Sequence, residues 1–133
     1  MIYIKNMLYQ WEKKTRPIID IDSWSMKDES CFIYGSSGSG KSSFVNLLSG
    51  ITVANQGDVI TLGENLSYLS ARGRDAFRAK NIGVIYQQFN LLPFLSGMDN
   101  ILLALNLSHS MSDDVCSRIY PLLDSLKLPI SVL

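Results

Sequence analysis

The chain has 133 residues, with 12 Lys and Arg balanced by 12 Asp and Glu, a single histidine and no formal net charge. That length supports one hydrophobic core without a disulfide or metal staple, and 47% hydrophobic with 18% charged residues excludes an intrinsically disordered class. The zero balance also argues against a protein that grips nucleic acid through a basic face, so no nucleic-acid partner is expected.

Cys31 and Cys116 form no CxxC or Cys/His cluster, which suggests neither a zinc site nor a disulfide framework and fits a reducing compartment. The longest apolar-rich stretch, Leu91 to Leu107, is broken by Pro93, Gly97, Asp99 and Asn100. The expectation is a soluble cytoplasmic chain without its own transmembrane segment.

Taken in chain order, Ile2 and Ile4 open an extended segment, WEKKTRP reads as a loop ending at Pro17, and a second strand is predicted over Ile18 to Trp24. Cys31-Phe32-Ile33-Tyr34 is a short apolar run that stops at a glycine and serine cluster, as a buried strand entering a loop does. Phe44, Val45, Leu47 and Leu48 then recur at helical spacing, with Gly50 as the C-terminal cap. Gln56-Gly57-Asp58 reads as a turn before a strand from Val59 to Leu62. Ser70 is placed to cap a basic helix containing Arg72, Arg74, Arg78 and Lys80, and a further strand is predicted over Ile82 to Tyr86.

Ser96 stands three residues before Asp99, a variant of the capping box, ahead of the apolar positions Ile101, Leu102 and Leu105. A last helix is predicted from about Ser112, with Asp113 and Asp114 at the positive end of its dipole. Val115, Ile119, Leu122, Leu123 and Leu126 fit its period, and Pro121 is expected to kink or interrupt it.

The chemistry is concentrated in Gly35-Ser36-Ser37-Gly38-Ser39-Gly40-Lys41-Ser42, which satisfies GxxxxGK(S/T). Glycines permit a tight backbone path and the close approach of a phosphate, while successive N–H groups form an anion-binding nest. The helix that begins near Lys41 adds its positive dipole end. The Lys41 ammonium can reach the β- and γ-phosphates, and Ser42 supplies a hydroxyl to Mg²⁺. The bland alternative is a flexible Gly/Ser loop with an exposed lysine, and the flanking strand CFIY and helix FVNLLSG weigh against it.

With these residues in view, the chain resembles the front half of an ATP-binding cassette ATPase, the nucleotide-binding domain of ABC transporters, from about Ile2 to about Leu128. The segment IGVIYQQFNLLPFLSGMDNI is similar to the family's Q-loop region, particularly in lipoprotein-releasing and macrolide-exporting ATPases, where a strand ends in an aromatic-Gln pair followed by Phe-Asn-Leu. The resemblance places the Q-loop glutamine on Gln87, with Gln88 as the alternative. In the family this glutamine contacts Mg²⁺ and the attacking water and relays nucleotide state to the membrane subunit.

The implied fold is α/β, an incomplete P-loop NTPase: residues 1–90 form part of the nucleotide-binding core and residues 91–133 part of the helical subdomain. The implied cofactors are ATP and Mg²⁺, held by Gly35, Ser36, Ser37, Gly38, Ser39, Gly40, Lys41, Ser42 and Ser43. Lys41 and Gln87 take the catalytic roles, and Ser42 and Gln87 face the metal. The family's adenine-stacking aromatic falls on Trp11, with Tyr9 as the alternative; such stacking is worth roughly 1–3 kcal/mol per base. Three positions depart from the family pattern: Asp28 replaces glycine in a Lys-Gly-Glu turn, Ser43 replaces threonine, and Trp11 replaces tyrosine.

Within the 133 residues no apolar run is followed by the acidic pair of a Walker B strand. Ile18-Ile19-Asp20 and Leu122-Leu123-Asp124 read as structural, Leu95-Ser96-Gly97 as a helix start rather than the LSGGQ signature, and His109 as a loop residue. The expected function is an ATP-binding subunit whose family couples hydrolysis to export or membrane extraction. It would work with a transmembrane permease and a second nucleotide-binding domain in a head-to-tail dimer, peripheral to the inner membrane. The competing reading is a non-catalytic nucleotide- or partner-binding remnant. Another P-loop enzyme, such as a small-molecule kinase or a GTPase, is disfavoured by the absence of a guanine-reading NKxD together with the Q-loop-like segment.

Overall fold

The computed structural model describes residues 1–12, 16–88, 90–107 and 115–132, the last without its side chain. They form two compact units, residues 1–78 and 79–133, each treated by itself.

The first unit is built on a four-stranded antiparallel sheet of β1 (Ile2–Tyr9), β2 (Ile19–Met26), β3 (Gln56–Thr61) and β4 (Glu64–Asn65), in the order β2-β1-β3-β4. Strict alternation would put Ile4 and Met7 on opposite faces, yet both are fully buried. A bulge resolves this. Between Lys5 and Leu8 the pairing with β3 slips by one residue, so that Asn6 and Met7 together oppose Gly57. Asn6 has φ 48° and Gly57 φ 82°, and a Cβ at Gly57 would lie 2.0 Å from the Asn6 carbonyl oxygen. The expected turn at Gln56-Gly57-Asp58 is therefore wrong. The glycine is needed for a close backbone approach inside β3, not for a chain reversal.

The core of this unit gathers Ile4, Met7, Tyr9 and Ile19 from β1 and β2, Val59 from β3, Leu66, and Leu47 from helix α1 (Lys41–Leu48). The C-terminus of α1 is closed by a Schellman motif: the Ile51 N–H donates to the Asn46 carbonyl, the Gly50 N–H donates to the Leu47 carbonyl, and Gly50 has φ 70°. The Thr61 hydroxyl donates to the Leu48 carbonyl at 3.1 Å. From α2 (Ala71–Asn81), Arg74 and Arg78 both donate to the Gly50 carbonyl, at 3.2 and 2.7 Å. Two arginines of the basic helix thus face the negative end of the α1 dipole, and Arg78 also pairs with Asp75. As expected, Ser70 caps α2, its Oγ accepting the Gly73 N–H. Asp28 takes the left-handed conformation, φ 49°, that the replaced glycine would favour.

The second unit contains α3 (Gly97–Leu107), α4 (Val115–Ser125) and a final 3-10 turn, Ile130–Val132. Ser96 caps α3 as expected: its Oγ accepts the Asp99 N–H and donates to the Asp99 carboxylate. Val115, Ile119 and Leu123 form the buried stripe of α4 against Met98, Ile101, Leu102 and Leu105 of α3. Leu122 and Leu126, expected on that stripe, are exposed. Pro121 does not end α4. It removes one N–H donor, but the buried residues before and after it hold both halves of the helix on the same partner. The helix start expected near Ser112, with Asp113 and Asp114, and His109 lie outside the described residues.

Two expected strands are not paired in the sheet. Cys31–Tyr34 and Ile82–Tyr86 take part in no ladder among the described residues. Phe32, Tyr34, Ile85 and Tyr86 are exposed. Their composition is that of buried parallel strands, but a strand exists only with a partner, and neither segment finds one in the described residues.

Candidate functional site

The phosphate loop joins the Cys31–Tyr34 segment to α1. Gly38 and Gly40 adopt φ 81° and 90°, in the left-handed region where a side chain is strained. Gly40 is the N-cap of α1 and offers no side chain to satisfy the helix's first N–H groups, and the first turn carries no acidic residue. Those donors therefore remain directed out of the helix, with the positive dipole end behind them. Two of the loop's glycines stand where a side chain would not fit. A Cβ at Gly35 would lie 2.8 Å from Ser39 Oγ, and one at Gly40 would lie 2.9 Å from Ile18 Cγ2.

Lys41 bridges the loop from the helix side. Its Nζ donates to the carbonyls of Gly35 at 2.8 Å and Ser36 at 2.7 Å and lies 3.5 Å from Ser39 Oγ. The ammonium is thus held at the mouth of the loop by acceptors of the loop itself. Exposed Ser42 follows on the first turn of α1, and both line a cleft of about 320 Å³ with Ser37, Gly38, Ser39, Gly40, Ser43, Ile18 and Trp11.

Trp11 reaches this cleft because its loop is tied at both ends of the β1–β2 connection. The Ile18 N–H donates to the Tyr9 carbonyl at 2.8 Å. Asn55 adds a second tie, its Oδ1 accepting the Gln10 N–H at 2.7 Å while its own N–H donates to the Leu8 carbonyl at 2.9 Å. Tyr9, the alternative stacking residue, is buried in the core and meets Trp11 edge-on, with ring centroids 5.5 Å apart. Trp11 is 71% exposed and leaves a face free for a planar ligand. The structure thus brings Ser37 to Ser43 and Trp11 around one cleft, whereas Gly35 and Ser36 line a neighbouring one with Ile33, Tyr34 and Phe44. Gln87 belongs to the second unit, where it and Gln88 are exposed after Ile82–Tyr86.

Sequence reasoning missed Ile18 as the wall beneath Gly40, and Asn55 as the residue that ties the Trp11 loop. Ile18 carries only a strand-like signal in sequence, and Asn55 carries none.

A family model described as ABC transporter matches residues 20–130. The chain belongs to the ABC transporter ATP-binding family. It is 36% identical over 111 residues to the lipoprotein-releasing system ATP-binding protein LolD of Xylella fastidiosa, covering 81% of this chain and 45% of that protein. It is 34% identical over 96 residues to the protein of the same name from Pseudomonas syringae, covering 72% of this chain and 42% of that one. The chain therefore spans less than half the length of these curated relatives.

Among solved structures, the dimeric ATP-binding cassette MJ0796 bound to ADP and Pi superposes with a TM-score of 0.79 at 27% identity, covering 96% of this chain and 56% of that one. The likeness supports an α/β P-loop cassette fold, present here in part. Among the described residues no helix is long and apolar enough to cross a membrane.

Proposed function

We propose that this ABC family chain binds Mg-ATP through the loop Gly35 to Ser43, with adenine stacked on Trp11. The carrying observation is the single cleft that gathers the uncapped α1 N-terminus, Lys41, Ser42 and an exposed aromatic ring. The α1 donors and Lys41 hold the phosphates, and the Ser42 hydroxyl faces the metal. Mg²⁺, when bound, neutralises phosphate charge and bridges phosphate oxygens. Gln87, in the nucleotide-binding core portion 1–90, is proposed to contact the metal and the attacking water in the complete cassette.

In the cytoplasm, the complete cassette would couple hydrolysis to export or membrane extraction, with a permease and a second nucleotide-binding domain. The 133 residues contain no Walker B carboxylate, so the chain by itself is proposed to bind ATP without turning it over. The test is equilibrium binding of a fluorescent ATP analogue in Mg²⁺. Lys41→Ala removes a charged hydrogen-bond donor worth about 1.5–3 kcal/mol, or roughly 10- to 150-fold in affinity. Equal binding by parent and mutant would reject the site. Mg²⁺-dependent hydrolysis by the purified chain, lost in Lys41→Ala, would reject the proposal of binding without turnover.

A further inference from the structure

The donors assigned to phosphate lie on the loop and α1, but the position of Trp11 is decided at the end of β1. β1 ends at Tyr9 and β3 begins at Gln56, which pairs with Leu8. Beyond that rung Asn55 alone continues the ladder. Its N–H donates to the Leu8 carbonyl at 2.9 Å, and its Oδ1 accepts the Gln10 N–H at 2.7 Å. A side-chain carbonyl thus stands where a longer strand would present a backbone one, and it fixes the residue immediately before Trp11. The register that brings Asn55 to Gln10 comes from the bulge. Lys5 pairs with Asp58, yet Leu8 pairs with Gln56, so β1 carries one extra residue between the two rungs. Without it Gln56 would face Met7, and Asn55 would fall one place short of Gln10. Gly57, which has no Cβ to strike the Asn6 carbonyl, permits the slip.

We propose that Asn55 is a positioning residue for nucleotide: it holds Trp11 in place for the base and so sets affinity for the nucleoside end of the ligand, not for its phosphate chain. The proposal rests on the phosphate-site and adenine-stacking reading above. Asn55 is outside the lining of the cleft, so its effect passes through Gln10 to the ring. Stacking depends on ring geometry, and ordering the ring before the ligand arrives removes part of the entropy cost of binding. The phosphate side is held separately, by Lys41 on the carbonyls of Gly35 and Ser36 and by the start of α1. Asn55 is itself exposed and belongs to no core cluster, so truncating it leaves no cavity in the core.

The experiment measures, by calorimetry in Mg²⁺, the binding of ATP and of inorganic tripolyphosphate, which has the phosphate chain but neither base nor sugar. The ratio of the two affinities reports the nucleoside end alone. Trp11→Ala should lower that ratio about ten-fold, the order that stacking supplies. Asn55→Ala should lower it about three- to ten-fold, the order of one hydrogen bond, with tripolyphosphate affinity unchanged. Asn55→Asp keeps the Oδ1 acceptor and should retain the parent ratio, because the effect of its charge on phosphate divides out. In a Trp11→Ala background, Asn55→Ala should lower the ratio no further.

An unchanged ratio in Asn55→Ala, or a lowered one that Asn55→Asp shares, would overturn the proposal. Equal losses of ATP and tripolyphosphate would also overturn it, since Asn55 would then support the fold and not the ring. So would a further fall in the Trp11→Ala background, because Asn55 would then act without Trp11. A parent ratio in Trp11→Ala would overturn adenine stacking and the role of Asn55 with it. Tripolyphosphate that the parent does not bind, or binds as well after Lys41→Ala, would overturn the phosphate site. Dependence on Lys41 and Trp11 with none on Asn55 would overturn the role of Asn55 alone.

Discussion

Gly38 and Gly40 lie two residues apart in the same loop, both with positive φ, but their surroundings differ, and that difference separates backbone strain from steric contact. At Gly38 a Cβ meets nothing within 4 Å. Gly38→Ala should therefore cost only the left-handed backbone penalty, about 1–2 kcal/mol. At Gly40 the same penalty applies, and the Cβ also lies 2.9 Å from Ile18 Cγ2 and 3.4 Å from Ile19 Cγ1. Carbon atoms prefer about 3.5–4.0 Å, and inserting a methyl into an occupied site costs about 1–3 kcal/mol. Gly40→Ala should thus lose about 2–5 kcal/mol in all.

At roughly 3–5 °C per kcal/mol for a chain of this size, thermal unfolding followed by circular dichroism resolves the two variants. Ile18→Ala removes the clashing methyl, so the Gly40→Ala penalty should shrink in that background while the Gly38→Ala penalty stays the same. Equal losses at Gly38 and Gly40, or a Gly40→Ala penalty indifferent to Ile18, would refute the packing argument.

Asn100 holds the segment before α3 through both ends of its amide: Oδ1 accepts the Leu92 N–H at 2.9 Å, and Nδ2 donates to the carbonyls of Leu92 and Ser96 at 3.2 and 3.0 Å. Asn100→Ala should cost about 1–3 kcal/mol and speed Leu92 amide exchange while leaving β1 amides unchanged; an unaltered Leu92 rate would count against the tie. Lys127 closes α4 in the left-handed region at φ 56°, with its N–H donating to Asp124 and the Leu128 N–H donating to Leu123. Lys127→Gly should therefore stabilise the chain by about 1 kcal/mol, seen as a higher melting temperature. Tyr68 has its pKa raised by a hydrogen bond to Asp58 and by that carboxylate's charge. Its stabilising effect is thus present at neutral pH and fades as pH rises through the raised value. A Tyr68→Phe difference titration in the ultraviolet should show a phenol ionising above 10.0, the ordinary value, and Asp58→Asn should bring it down.

The features legible in the sequence are those whose physics is local. The phosphate loop, the caps at Ser70 and Ser96 and the glycine closing α1 each depend on residues within one or two turns, so spacing alone places them. The misread features depend on who stands opposite. Gly57 signals a positive φ in either reading, and only the arrival of Asn6 across the sheet makes it a bulge rather than a turn. CFIY and IGVIY signal apolar strands, but no residue within them states where a ladder partner comes from. Pro121 signals a broken helix, and α4 continues because Val115, Ile119 and Leu123 share a face that local propensity does not include. The same division runs through the candidate site. Lys41 and Ser42 could be placed from eight consecutive residues, whereas Trp11 joins them only because Ile18 bonds back to Tyr9 and Asn55 holds Gln10, the latter a contact across 45 positions. A substitution at Asn55 should therefore disturb the aromatic wall of the cleft while leaving the phosphate loop intact, a separation that spacing along the chain does not reveal.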